Sequence, residues 1–212
     1  MRAWTIRLTM VAVLGAAVAV PAAAQGVDIK GYGMVGGMNF AASESFDAVF
    51  GSSTGLIFGG GAEVGLPCGG LYFGIGAWRY SNDGERVFVS GSDVFPLGIP
   101  LSVDITPIEV TAGWRFKQIS PRLVPYVGGG WSSYSYKETS DFAATGDDVD
   151  ERFNGFHILG GVEFKAARWL GIGGEIVFSR VPNALGVSGV SEAFDEDNLG
   201  GTSYRLKISV GR

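Results

Sequence analysis

Eight charged residues are spaced so that one narrow space could hold them all: the acids Glu63, Glu109, Glu163 and Glu175, and the bases Arg115, Lys165, Arg205 and Lys207. Four acids facing four bases can do one of two things. Paired and hydrogen-bonded, they form a structural plug, because charges taken out of water persist only with partners. If they switch partners, they form a gated ion path. Glu175 with Lys207, and Glu163 with Arg115, are the pairs that the spacing brings to similar heights.

Other residues point to less chemistry. His157 is the only histidine, so a multi-histidine metal site is excluded and any metal would rest on carboxylates. It lies near Asp150, Glu151 and nearby serines, the ingredients of a Ser-His-acid hydrolase, but no serine stands in a nucleophile motif. Asp141, Asp147, Asp148, Asp150 and Glu151, and then Glu192, Asp195, Glu196 and Asp197, could hold Ca²⁺ or Mg²⁺, yet their spacing matches no EF-hand and solvated charge is the simpler reading. Gly31-Tyr32-Gly33-Met34-Val35-Gly36 spells G-x-G-x-x-G. A dinucleotide site needs a strand before that motif and a helix after it, and here it falls inside a strand pattern. The expected inventory is therefore no catalytic, cofactor or metal residues.

The elements that must position these charges alternate with a period of two. A strand sends successive side chains to opposite faces. From Leu56 to Leu66, one face carries Leu56, Phe58, Gly60, Ala62, Val64 and Leu66, and the other Ile57, Gly59, Gly61, Glu63 and Gly65. The split recurs from Ile108 to Phe116, Phe156 to Lys165, Leu170 to Ser179 and Ser203 to Gly211. Lys30 to Ala42, Leu71 to Tyr80 and Leu123 to Tyr136 make eight strands, with glycines blurring their faces. Ser102 to Thr106 extends the fourth strand, and Pro107 is expected to mark a bulge or register change.

The face opposite the greasy one is Gly, Ser, Thr and a few charges, which is too small for a two-sheet core and suits a narrow barrel filled by side chains. The greasy face then meets lipid, where a Lys or Arg at mid-bilayer would cost roughly 2–4 kcal/mol. Trp114, Phe116, Phe164 and Trp169 are expected at one rim of the hydrocarbon and Phe40, Trp131 and Phe178 at the other. Closure follows because lipid offers no partner to an open sheet edge. Connections alternate short (Pro67 to Gly69, Lys117 to Arg122, Ala166 to Trp169) and long (Ser43 to Thr54, Asn82 to Pro100, Thr139 to Phe153, Pro182 to Gly200). That pattern places both termini and the short turns on the periplasmic side.

The N-terminus and composition set the compartment. Arg2 and Arg7, an apolar run from Leu8 to Val20, then Pro21 and Ala22-Ala23-Ala24 have the order of a secretory signal peptide, with residues 25–212 as the mature domain. Its loss moves the net charge from −5 to −7, because Arg2 and Arg7 leave with no acid. An exported acidic chain without a basic run excludes nucleic-acid binding. Cys68 is the only cysteine, so no internal disulfide staples the chain, and it is read as a small turn residue.

With its strand pattern, Pro125-Tyr126-Val127-Gly128-Gly129-Gly130 and the closing Tyr204-Arg205-Leu206-Lys207-Ile208-Ser209-Val210, the chain resembles the small eight-stranded outer-membrane β-barrels of the OmpA and OmpX kind over Gln25 to Arg212. Members usually finish on an aromatic used in assembly, whereas this chain ends Gly211-Arg212. The resemblance implies an all-β, antiparallel, up-and-down transmembrane barrel in the outer membrane. Its partners would be outer-membrane lipids, lipopolysaccharide, the assembly machinery and an extracellular ligand on the long loops. The role expected is structural, envelope-integrity or surface interaction rather than enzymatic. A narrow pore is the first alternative, and a lipid A-modifying enzyme using His157 the second.

Overall fold

The computed structural model describes residues 26–67, 69–91, 93–140, 149–186 and 189–211. The signal-peptide segment, Cys68, and Asp141, Asp147 and Asp148 therefore lie outside the described residues. Eight strands, β1 (Asp28–Phe40), β2 (Thr54–Gly65), β3 (Leu71–Ser90), β4 (Asp93–Arg115), β5 (Leu123–Thr139), β6 (Val149–Lys165), β7 (Leu170–Arg180) and β8 (Gly201–Gly211), pair with their chain neighbours. β1 also pairs antiparallel with β8, closing the barrel. The glycine-rich run Gly31 to Gly36 lies inside β1, bonded on both sides.

The period-two pattern sorts the wall as the sequence requires. Leu56, Ile158 and Leu206 on the outer face are 69%, 61% and 65% exposed, and Phe58, Val110, Trp114 and Ile208 join them there. An exterior this apolar is stable only against hydrocarbon. No helix among the described residues is long and apolar enough to cross a membrane. Trp131 and Phe178 face outward near the far rim, and Trp114, Phe164 and Trp169 near the periplasmic one. Phe40 departs from expectation, being buried in the lumen, because the inward positions of β1 are the even-numbered ones, shared with Met34 and Met38.

Pro107 carries no register change. Its pairing to β5 is continuous, and toward β3 the ladder skips Trp78 and Arg79 and resumes at Tyr80↔Ile105 in the same register. A missing donor interrupts the bonding without adding a residue. The irregularity falls between Glu85 and Val87, opposite Gly98, which adopts φ +69° and donates its backbone N–H to the Glu85 carboxylate.

All four long connections contain structure that the strand pattern did not anticipate; in Thr139 to Phe153, β6 already begins at Val149 and pairs with the end of β5. Asn82 to Pro100 is a two-stranded ribbon continuing β3 and β4 beyond the barrel, with Phe88 paired to Phe95 and Val89 to Val94. Pro96 and Pro100 are tolerated because β4 loses its β5 neighbour beyond Ser102, leaving an edge that needs no ladder donor. Ser43–Phe50 is a helix, α1, ended by Gly51 in the left-handed region at φ +73°, where its N–H bonds the Asp47 carbonyl. Its Phe46, Val49 and Phe50 share one face, at the spacing of an amphipathic helix. A short helix, α2 (Gly189–Ala193), lies in the last connection. Glu196 ties the two connections together: its carboxylate accepts from the Glu44 N–H at 3.0 Å, the Ser45 N–H at 2.9 Å and the Ser45 hydroxyl at 2.6 Å, satisfying orphan donors of α1.

Candidate functional site: the barrel interior

The inward faces of the strands divide the lumen into two halves. The periplasmic half holds charge. Four acids and four bases run as an unbroken chain of alternating sign, beginning with Lys30 on β1, which reaches Glu163 on β6 at 2.6 Å. Glu163 bonds Arg115 on β4 at 3.1 Å, and Arg115 also grips Glu63 on β2. Glu63 meets Lys207 on β8 at 2.8 Å, and Lys207 meets Glu175 on β7 at 3.2 Å. Glu175 lies 3.6 Å from Arg205, whose guanidinium forks onto both oxygens of Glu109 at 2.8 and 2.7 Å. The indole N–H of Trp78 closes the chain on Glu109 at 2.7 Å. Each acid but the last touches two cations, and the sum is neutral.

Seven of the eight residues expected in this cluster are thus brought together, and Lys165 is not among them. It lies two residues nearer the periplasm than Glu163 and lines the mouth, with no ion pair among the described residues. Lys30 takes its place. The sequence signal for Lys30 is its parity with Met34 and Met38, which only Ile29 and Val35 on the opposite face of β1 could fix.

Aromatic rings insulate the charges. Lys207 lies 4.0 Å from the Tyr32 ring centroid, and Arg115 lies 4.9 and 5.2 Å from those of Tyr72 and Tyr126, within cation–π range. Interior glycines make room for these rings. A Cβ on Gly76 would sit 2.3 Å from the Tyr32 hydroxyl, and one on Gly161 2.5 Å from the Tyr126 ring. The lumen glycines are therefore sockets for tyrosines, a pairing invisible to a count of small residues.

The outer half is apolar. Met38, Phe40, Ile57, Tyr80, Val103, Ile105 and Tyr134 pack across it, and Phe46 of α1 descends from outside to stack on Phe40 at 4.1 Å. Between the halves sits His157, 1% exposed, with the Ser132 hydroxyl 2.7 Å from Nδ1 and the Thr111 hydroxyl 2.9 Å from Nε2. Its partners are strand hydroxyls rather than the loop acids expected from sequence. Asp150 instead pairs with Lys137 at 2.8 Å. Among the described residues no group of three His, Cys, Asp or Glu is placed to hold a metal ion.

This architecture can be set beside known proteins. The family profile described as "Outer membrane protein beta-barrel domain" matches residues 10–206. No curated protein matches the sequence. Among solved structures, a major outer membrane protein from Thermus thermophilus is similar at TM-score 0.55 and 10% identity, covering 88% of this chain and 99% of that one. Neisserial surface protein A gives 0.49 and 15%, covering 88% and 96%. The N-terminal barrel domain of Pseudomonas aeruginosa OprF gives 0.47 and 10%, covering 87% and 97%.

Proposed function

The chain belongs to the outer membrane protein β-barrel domain family and resides in the outer membrane, and from that premise we propose a non-conducting barrel with a structural and surface-presenting role. The observation that carries this reading is the doubly filled lumen. Below, eight opposite charges are each committed to a partner; above, Met38, Ile57, Ile105 and Tyr134 fill the path without a charged group. A switch of ion-pair partners in the lower half would still leave an ion facing an apolar barrier, where its desolvation cost is prohibitive.

The wall serves as the anchor in lipid, and the outer side does the presenting. The β3–β4 ribbon carries exposed Phe88, Phe95 and Leu97 outside the barrel, with Asp93 at its tip. In this reading the lipopolysaccharide layer surrounds the ribbon and an external ligand would meet its tip. Catalysis is not part of the proposal, because His157 is enclosed between Thr111 and Ser132 without access to the bilayer.

Single-channel recording in planar bilayers tests the reading, on wild type and on Glu175→Gln. Both are expected to be silent. Unitary current steps in wild type would overturn the proposal in favour of a narrow pore. Lipid A mass spectra that change on expression, and revert with His157→Ala, would overturn it in favour of an enzyme.

A further inference from the structure

The periplasmic mouth carries an excess of positive charge. At this end of the barrel the described turn and rim residues include the five cations Lys30, Lys117, Arg122, Lys165 and Arg168, against the two acids Asp28 and Glu163. This runs against the net charge of the chain, which is −5. The positive residues therefore do not follow from general composition.

Part of this charge lines a cavity of about 350 Å³ where the 166–169 turn meets the start of β1 and the end of β8. Within it Lys30 is committed to Glu163, which Arg115 also holds. Asp28 lies 3.6 Å from Lys117. Lys165 and Arg168 line the same cavity with no ion pair among the described residues, and the Ser209 hydroxyl adds a polar atom, 3.4 Å from Glu163. Two such cations in one concavity, backed by low-dielectric wall, focus positive potential on whatever enters.

We propose that this cavity is a phosphate-binding site, with Lys165 as a point charge and Arg168 as a fork. The phosphate oxygens, with one negative charge on a diester and up to two on inorganic phosphate, meet these two cations, and the volume leaves room for a substituent. The phosphate could be free in the periplasm or carried by an anionic phospholipid of the inner leaflet, since Trp169 and Leu170 also line the opening.

Both sources can be tested on barrel purified from membranes. In amine-oxide detergent at low salt, inorganic phosphate is titrated and followed by ³¹P NMR. In nanodiscs of phosphatidylcholine containing phosphatidylglycerol, the phosphatidylglycerol retained on delipidation is counted by mass spectrometry. Wild type is expected to saturate in at least one arm. The double variant Lys165→Gln/Arg168→Gln should bind about tenfold more weakly, as expected for losing charge-assisted bonds, while Lys137→Gln, on the far side of the membrane, should change nothing. The responding arm identifies the source. No saturable response in either arm, the same response in the double variant, or an equal loss in Lys137→Gln would overturn the site. Faster gel mobility before boiling serves as the control for folding in every variant.

Discussion

Glu109→Gln tests whether the charge chain is as dry as its geometry implies. The Glu109 carboxylate receives two bonds from Arg205 and one from Trp78, and the two charged side chains are only 7% and 4% exposed. Breaking a buried pair by neutralising one partner costs about 3–5 kcal/mol, mostly because the remaining charge is stranded. Glu175 at 3.6 Å still offsets part of the Arg205 charge, and the amide still accepts one bond, so about 3 kcal/mol is expected. Arg205→Met should cost about as much, leaving Glu109 with Trp78 alone. The double variant removes one charge of each sign and keeps the chain neutral, so its cost should fall below the sum of the singles by at least ~2 kcal/mol. The assay is urea unfolding of barrels refolded into vesicles, read by tryptophan emission, with Trp78 at the perturbed pair. Additive costs, or single costs under ~0.5 kcal/mol, would mean that water screens the pair, and the closed lower lumen would be refuted.

Three further outcomes follow from particular contacts. Lys30→Met should destabilise the barrel by about 1–3 kcal/mol by removing a partner of Glu163 that Arg115 only partly replaces, whereas Lys165→Met should stay within ~0.5 kcal/mol; the same unfolding assay separates them, and equal effects would contradict the assignment of Lys30 to the chain. Gly113→Ala should cost about 1–3 kcal/mol, since its Cβ would lie 2.3 Å from the Val127 carbonyl and 2.6 Å from the Tyr72 ring; an unchanged melting temperature would show that the socket is slack. Glu196→Gln should release α1 by about 1–2 kcal/mol, the worth of a helix-start acceptor, seen as roughly 5–30-fold faster amide exchange over Ser43–Phe50, while exchange in β7 stays unchanged.

The wall of this molecule is legible in the sequence because lipid imposes one rule on every strand. A residue such as Leu56, Val110 or Ile208 needs only to be apolar on the correct parity, and a single segment reveals that without knowledge of its neighbours. The same parity places Glu63, Glu109, Glu163 and Glu175 on the opposite face. Where glycine occupies both faces, parity loses its markers. In β1 the run from Gly31 to Gly37 hides the inward direction of Lys30 and Phe40, so pattern alone omits the first from the charge chain and assigns the second to the rim.

The lumen is legible only in part because its contacts are set by register across strands distant in sequence. Lys30 and Glu163 are 133 residues apart, and whether Lys30 or Lys165 meets Glu163 depends on the tilt and stagger that closure imposes on β1 and β6. Alternation specifies a face, not a height. The helix α1 shows the complementary failure. Phe46, Val49 and Phe50 do carry a helical period, but in a segment that a strand pattern registers only by its length. That helix adds Phe46 to the apolar layer, so part of what bears on plug against pore lies in a connection. The charges alone leave both readings open; the apolar layer above them, with Phe46 stacked on Phe40, favours the plug because rearranging salt bridges below cannot hydrate the aromatic layer above.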